Sequence, residues 1–536
     1  MMKHRLPLFR AAFAISLAFL LAAPHAAAAP GELDTAFGTV TGSPFTPAGI
    51  TRGAPSPQVA FNTLSTASTA VRKDGGYYLA NSCFSTAGVA SICVTSYSPT
   101  GQMENQFNAI VPVIQAAGTT VVGGVAVDAN DHAWVSGSCN GQGCIAKRLR
   151  DGSNASNLGV NGNLARIDIP SMVFATSVDV GRDGKIAVGG RCFDGDQYHP
   201  CAIRLLPSGA IDSSFNGGQV AGWGNDPFNA IEQVVDGSVR KVVYHGDGRI
   251  YAGGRCAGAA IEWMCVAILE ADGSRRLRSV LNSQDQFDVY SYYTAALWSF
   301  ATSTSFVDMA IQSDGGILLY GTCRQTAAPT QFACAVRMMP EVGFDRWFGN
   351  NGYLRAFLRP EVMTAAGMVL RQDGSFVLLA NCDVTVSAQT RRRLCVQTHT
   401  ASGNFSYQLL TGVAANDIEF DGSTTPTRLT WEGVGATRYR DNALFAVASC
   451  PDAGGFRWLC VAKISLGALP APHACSSDID GDARSLATTD AALVARIARG
   501  ASDSAVISNA IGAGATRNSW SAIRTHLNTN CGTAIP

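Results

Sequence analysis

The cysteines of this chain arrive in pairs, and the pairs recur. Cys83/Cys93, Cys139/Cys144, Cys192/Cys201, Cys256/Cys265, Cys323/Cys334, Cys382/Cys395 and Cys450/Cys460 are each 5 to 13 residues apart, and the first members of successive pairs are 53 to 68 residues apart. One more pair, Cys475/Cys531, brackets the C-terminal segment. Recurrence at a long period means a series of similar supersecondary units rather than one irregular core.

The unit is most legible around Cys192. An apolar alternation runs into Asp183-Gly184, a second one runs out to Cys192, and Cys201 opens a third that ends at Pro207-Ser208-Gly209. Period-two alternation is the strand signal, and Asp-Gly suits a two-residue hairpin in which both positions take positive φ. The turn repeats at Asp74-Gly75, Asp247-Gly248, Asp314-Gly315 and Asp373-Gly374, and decays to Asp131-His132 and Asp441-Asn442. Each unit reads as four strands, the fourth carrying Ile211-Asp212 to Phe215 in the third unit. Small residues such as Gly189-Gly190 in the second strand let neighbouring units approach. With 56 glycines and 15% charged residues, short strands and tight turns are favoured over helices. The expectation is an all-β fold: a seven-bladed β-propeller over residues 29–470.

The paired cysteines fall late in the second strand and early in the third. Opposed residues of antiparallel strands have Cα atoms ~4.5–5.5 Å apart, within disulfide reach, so one staple per blade is expected. Each closes a short loop and contributes roughly 2–3 kcal/mol in the chain-entropy account. Metal ligation by the pairs is disfavoured by their uneven spacing and the lack of partner histidines. The N-terminus agrees with an oxidising destination. Lys3, Arg5 and Arg10 flank or precede the apolar run 11–23, and Ala26-Ala27-Ala28-Ala29 offers a cleavage site, so residues 1–28 read as a secretory signal. That run is shorter than the ~20 residues of a membrane span, and the mature chain is expected to have no span. It is expected to be secreted, periplasmic or on the cell surface, where disulfides persist. Lys+Arg and Asp+Glu both number 40; without a basic excess, nucleic acid is not an expected partner.

The seventh unit ends near Pro470 without a fourth strand. The missing phrase stands at the other end of the chain, as Leu33-Asp34-Thr35-Ala36-Phe37, so the N-terminal segment is expected to supply the outer strand of the last blade and remove an open edge. In these phrases the chain resembles the delta-60 repeat β-propellers of secreted bacterial proteins. The family's Leu-Asp-x-x-Phe-Gly-x-x-Gly is matched by residues 33–38, 211–218 and 344–352, and its Asp-Gly-Lys-Ile-x-Val-x-Gly by residues 183–189, 247–253 and 314–321. The resemblance spans residues 31–470. Units two, four and six lack the first phrase, and the paired cysteines are an addition to it. It implies a propeller and no single activity.

Residues 471–536 read as a separate helical module behind a Pro-rich linker. Asp478, Asp480 and Asp482 alternate as oxygen ligands do in a calcium loop, with the Arg484 carbonyl next and Asp490 as closing carboxylate. A helix begins there, with Leu493, Val494 and Ile497 on one face; Trp520, Ile523 and Leu527 repeat the spacing. Cys531 is expected to tie the end back to Cys475. The segment resembles one half of a dockerin module, which implies calcium as cofactor. Ala483 replaces the usual loop glycine and the closing acid stands one place late. Residues 512–516 offer no second loop, so a cohesin-type partner is not expected.

No catalytic motif is found, and no catalytic residue is assigned. His132 and His245 occupy or flank the first hairpin turn, where a solvated role is expected. Residues 284–306 depart from the repeat as an aromatic insertion between blades four and five, making Tyr290, Tyr292, Tyr293 and Trp298 the candidate ligand-binding residues. The leading expectation is a secreted, stapled propeller that binds an extracellular ligand or partner, a polysaccharide or a protein. Its rivals are an extracellular polysaccharide hydrolase or lyase with its active site in the channel, and a structural envelope component.

Overall fold

The computed structural model describes residues 34, 37–38, 50–52, 67–84, 89–104, 112–115, 120–159, 161–162, 164–223, 236–257, 262–275, 278–281, 287–290, 293–294, 303–325, 331–339, 343–345, 348–349, 352–356, 363–386, 389–403, 417–418, 432–440, 443–451, 457–466, 479–480, 490–499, 501–511 and 515–530. The signal-like segment 1–28 and the linker therefore lie outside the described residues. The chain divides into two compact units, Met1–Gly467 and Ala468–Pro536.

The larger unit is built from antiparallel four-stranded sheets. The first comprises Ala67–Val71, Tyr77–Phe84, Ala90–Tyr97 and Pro112–Gln115, and the pattern recurs to the last, which ends on Arg457–Ser465. The third and fourth sheets are linked by a single parallel bridge between Tyr198 and Asp236. Among the described residues, successive sheets of this kind begin with Ala67–Val71, Thr120–Val127, Met172–Val180, Asp236–Tyr244, Ser303–Ile311, Met363–Leu370 and Glu432–Arg440. Each packs against the next in order, and the seventh packs against the first. Apolar clusters lie between neighbouring sheets: Trp134 and Ile145 of the second pack with Val178, Val188 and Ile203 of the third. Such close stacking requires bare backbone. A Cβ on Gly189 would stand 2.5 Å from Cγ1 of both Val239 and Val242 in the following unit.

The Asp-Gly turns are not the expected two-residue type. Only the glycine has positive φ, +78° at Gly184, while no aspartate of an Asp-Gly pair does. Gly184 N–H donates to the Gly181 carbonyl and Gly181 N–H to that of Lys185, a wider turn with one left-handed residue. The aspartate is there for its side chain. Asp183 Oδ1 accepts the Lys185 amide at 3.1 Å, as Asp74 accepts that of Gly76 at 2.8 Å, an Asx turn. In the second unit the turn is shifted by one residue from the expected Asp131-His132 pair: Asp131 itself holds the left-handed place, at φ +59°. Asp441-Asn442 lies outside the described residues.

The staples also differ in geometry from the expectation. Cys192 stands opposite His199, and Cys201 opposite Gly190. The disulfide thus crosses the ladder diagonally, two positions off register. The same offset holds for Cys83–Cys93, Cys139–Cys144, Cys256–Cys265, Cys323–Cys334 and Cys382–Cys395, with Cα atoms 5.8–6.0 Å apart. Strand twist brings one diagonal within reach. Cys460 is disulfide-bonded as well, and its register with Cys450 is the same diagonal; Cys475 and Cys531 lie outside the described residues.

The Leu-Asp-x-x-Phe phrase is a clip that precedes the fourth strand. In the third unit the fourth strand is Ala221–Gly222, paired to Cys201 and Ala202. Ahead of it, Asp212 N–H donates to the Arg204 carbonyl at 3.0 Å and its carboxylate receives Arg204 Nε at 2.8 Å. Phe215 is buried in the seam with the fourth unit. Asp345 and Arg337 repeat the clip, and Phe348 repeats the wedge. In the last sheet the outer strand is Ile50–Arg52, paired to Arg457–Ser465, and the clip joins Asp34 to Lys463. Phe37 fills the seam between the seventh and first sheets with Tyr77 and Phe445.

Candidate functional site

First strands are sheet edges, and their amides need acceptors from outside their own ladder. A polar side chain of one unit serves the next. Ser68 Oγ accepts the Val125 amide at 3.2 Å, Ser177 Oγ that of Val242 at 3.1 Å, and Asp308 Oδ2 that of Met368 at 3.1 Å. The fourth unit has Lys241 at this place, and an ammonium cannot accept. Asp308 covers the gap. Its Oδ1 takes the Met309 amide at 2.9 Å and lies 3.6 Å from Lys241 Nζ. Asp179 is held the same way: Oδ2 accepts the Tyr244 amide at 2.8 Å and Oδ1 the Val180 amide at 2.9 Å. Burial pushes the Asp179 carboxyl above its ordinary value against these amides and Lys241; Asp308 chiefly holds the Lys241 ammonium up. Asp179, Lys241 and Asp308 thus form one charged arc on three consecutive first strands. Chemically, both carboxylates already spend their oxygens on main-chain amides.

The hairpin of the third unit carries a different kind of site. Phe193 and Tyr198 face each other at its tip, 40% and 38% exposed, with ring centroids 4.9 Å apart. The Arg191 guanidinium lies 3.8 Å from the Tyr198 ring centroid. Sequence reading missed this pair. The signal was Phe-Asp-Gly-Asp-Gln-Tyr, two aromatics bracketing a turn immediately after a stapled cysteine.

Of the expected aromatic insertion 284–306, the described part begins inside the fourth unit, and residues 295–302 lie outside the described residues. Arg278–Leu281 and Phe287–Tyr290 pair as a small hairpin, and Tyr293–Thr294 then pairs with Cys265 and Val266 as the outermost strand of the fourth sheet. Phe287–Tyr290 therefore precedes the last strand of the fourth sheet, and Tyr293 lies on that strand. Tyr290 and Tyr293 are on described strands; Tyr292 and Trp298 lie outside the described residues. His132 Nδ1 lies 3.2 Å from Asp128 and His245 Nδ1 2.9 Å from Asp247, both as turn contacts. His399 is buried against Phe376, with ring centroids 5.3 Å apart, and burial pushes its pKa down to about 4.

In Ala468–Pro536, Asp490–Ala498, Ser504–Ile507 and Trp520–Asn530 are helical. Leu493, Val506, Ile523 and Leu527 form its small core with Ile479, while Val494 is exposed. Asp490 Oδ1, at the start of the first helix, accepts the amides of Ile479 and Asp480. Both Asp480 and Asp490 are buried. Arg517 donates from its amide to the Asp480 carbonyl at 2.7 Å and from Nε to the Ile479 carbonyl at 2.8 Å. Asp478, Asp482 and Arg484 lie outside the described residues.

No family model matches the sequence, and no curated protein matches it. Among solved structures, a protein of unknown function from Dyadobacter fermentans DSM 18053 is similar at 11% identity over 75% of this chain and 94% of that one, with a TM-score of 0.38. The polysaccharide lyase Uly1 is similar at 10% identity over 67% and 94%, TM-score 0.35. The arabinanase Arb43A of Bacillus subtilis is similar at 10% identity over 54% and 92%, TM-score 0.28. At such scores these likenesses carry no weight for activity. No helix among the described residues is long and apolar enough to cross a membrane.

Proposed function

We propose that the chain is a secreted, seven-bladed β-propeller that serves outside the cytoplasm as a rigid scaffold binding a ligand or partner through its loops. The cyclic packing of the seven first strands supports the propeller, and the disulfides support an oxidising destination. One observation carries the choice of binding over catalysis. In the ring, Asp179 and Asp308 hold main-chain amides on both oxygens, whereas a general acid or base has to reach its substrate. The loops offer contact groups instead, with aromatics exposed at a stapled tip.

The alternative is a polysaccharide hydrolase or lyase working in the channel. The raised Asp179 carboxyl favours it. The mature protein, incubated with a panel of polysaccharides with and without calcium, separates the two. Retention without released sugar supports the scaffold; released sugar transfers the assignment to the enzyme.

For the C-terminal unit the reading is a calcium loop made by Asp478, Asp480, Asp482, the Arg484 carbonyl and Asp490. What supports it is that Asp480 and Asp490 are both buried, with the Asp490 carboxylate accepting the Asp480 amide. An all-oxygen set of this charge suits a hard divalent cation.

A further inference from the structure

In the third-unit hairpin the residues that close the ladder are both aromatic, Phe193 opposite Tyr198. In the other units the closing pairs are Phe84 with Ala90, Cys139 with Gln142, Ala257 with Glu262, Arg324 with Gln331, Val386 with Gln389 and Pro451 with Arg457, none of them doubly aromatic. The ladder itself therefore does not demand aromatics there. Nor is the tip loose. The Cys192–Cys201 staple lies directly behind it, Phe193 N–H donates to the Ser171 carbonyl at 3.1 Å, and Asp194 Oδ1 accepts the amides of Asp196 and Gln197 at 3.0 and 2.9 Å. A tip ordered in advance loses little freedom on binding.

Its chemistry is specific. Phe193 and Tyr198 are both exposed, and Asp194 and Asp196 are exposed beside them. The nearby guanidinium of Arg191 is stacked on Tyr198. His199 adds no compensating charge near neutrality, because burial lowers its pKa. The tip thus combines apolar faces with hydrogen-bond acceptors under a net negative charge.

Resting on the scaffold reading above, we infer that this hairpin binds a neutral, hydroxyl-rich glycan. Sugar C–H faces stack on Phe193 and Tyr198 while hydroxyls donate to Asp194 and Asp196. An anionic polymer meets like charge at the same place and is disfavoured.

The test is titration calorimetry of the oxidised mature protein with cellohexaose, xylohexaose, mannohexaose and hexagalacturonate. At least one neutral hexasaccharide binds, and Phe193→Ala with Tyr198→Ala weakens it at least ~tenfold at an unchanged melting temperature. Phe193→Leu, which keeps the bulk and removes the π-face, weakens it in the same direction, and Asp196→Asn produces a smaller loss. Full affinity in the aromatic variants, tighter binding of hexagalacturonate, or no binding of any hexasaccharide overturns the inference. Sugar release from the polysaccharide panel would instead overturn the scaffold reading, so the two failures are distinguishable.

Discussion

Lys463 Nζ stands 2.8 Å from Asp34 Oδ2, and the Asp34 amide donates to the Lys463 carbonyl at 3.0 Å. Arg204 and Asp212 make the same pair of contacts within one unit, and so do Arg337 and Asp345. The residue after the phrase repeats as well: Gly38 N–H reaches the Thr100 carbonyl, as Asn216 reaches Asp272 and Gly349 reaches Ser402 in their following units. The first described residues of the larger unit are thus tied to its last sheet by the clip that recurs within the third and fifth units, and to its first sheet by the amide that also reaches forward there.

The grip has a graded energetics. Phe37 is buried between Tyr77 and Phe445, so Phe37→Ala should cost about 3–5 kcal/mol. The Lys463–Asp34 pair is partly exposed, so Lys463→Met should cost less than ~1 kcal/mol. Urea unfolding of the two variants measures the order; equal costs would contradict the wedge.

Each staple is local. Peptide mapping without reduction should recover Cys192 with Cys201 and the other intra-unit pairs. Replacing both cysteines of one pair by alanine should lower stability by roughly 2–3 kcal/mol, while the remaining pairs form unchanged. A map dominated by pairs between units would refute the diagonal staple.

His399 should set a pH dependence. Burial holds its pKa at about 4, below the ~6.5 of an unfolded chain, so between these values the unfolded state binds more protons. The neutral ring's contribution is complete above pH ~6.5 and is lost as pH falls towards ~4, a loss of about 3 kcal/mol. His399→Phe keeps a ring against Phe376 and should flatten this window in unfolding experiments. An unaltered acid limb would show that His399 does not govern it.

Calcium should bind the mature chain once and with oxygen ligands. Titration calorimetry should detect uptake that Asp480→Ala abolishes and Asp490→Asn weakens. Asp490→Asn should also loosen the first helix, because the amides of Ile479 and Asp480 then meet a neutral acceptor. Uptake unaffected by both changes would place the ion elsewhere.

Much of the architecture was legible because its signals are local. A disulfide across one hairpin must appear as a close pair of cysteines, and Asp-Gly marks a turn whatever its type. The turn type was not legible, since Asp-Gly also serves a wider turn in which aspartate acts through its side chain. Fourth strands such as Ile167–Asp168 and Ala221–Gly222 are too short to show alternation, so the more regular phrase before them carries the stronger strand signal. The relay from Ser177 to Val242 joins residues of different units and has no local trace. Phe193 and Tyr198 were readable in principle, by aligning the residues that close each stapled hairpin.

The position of Ile50–Arg52 has a temporal side. Its partner, Arg457–Ser465, emerges from the ribosome roughly 400 residues later, and a contact so distant along the chain is among the last to form. Until then the first strand made waits without a ladder, and the last sheet presents a bare edge. This pairing is therefore a late event in the folding of the larger unit, and both edges stay open until it forms.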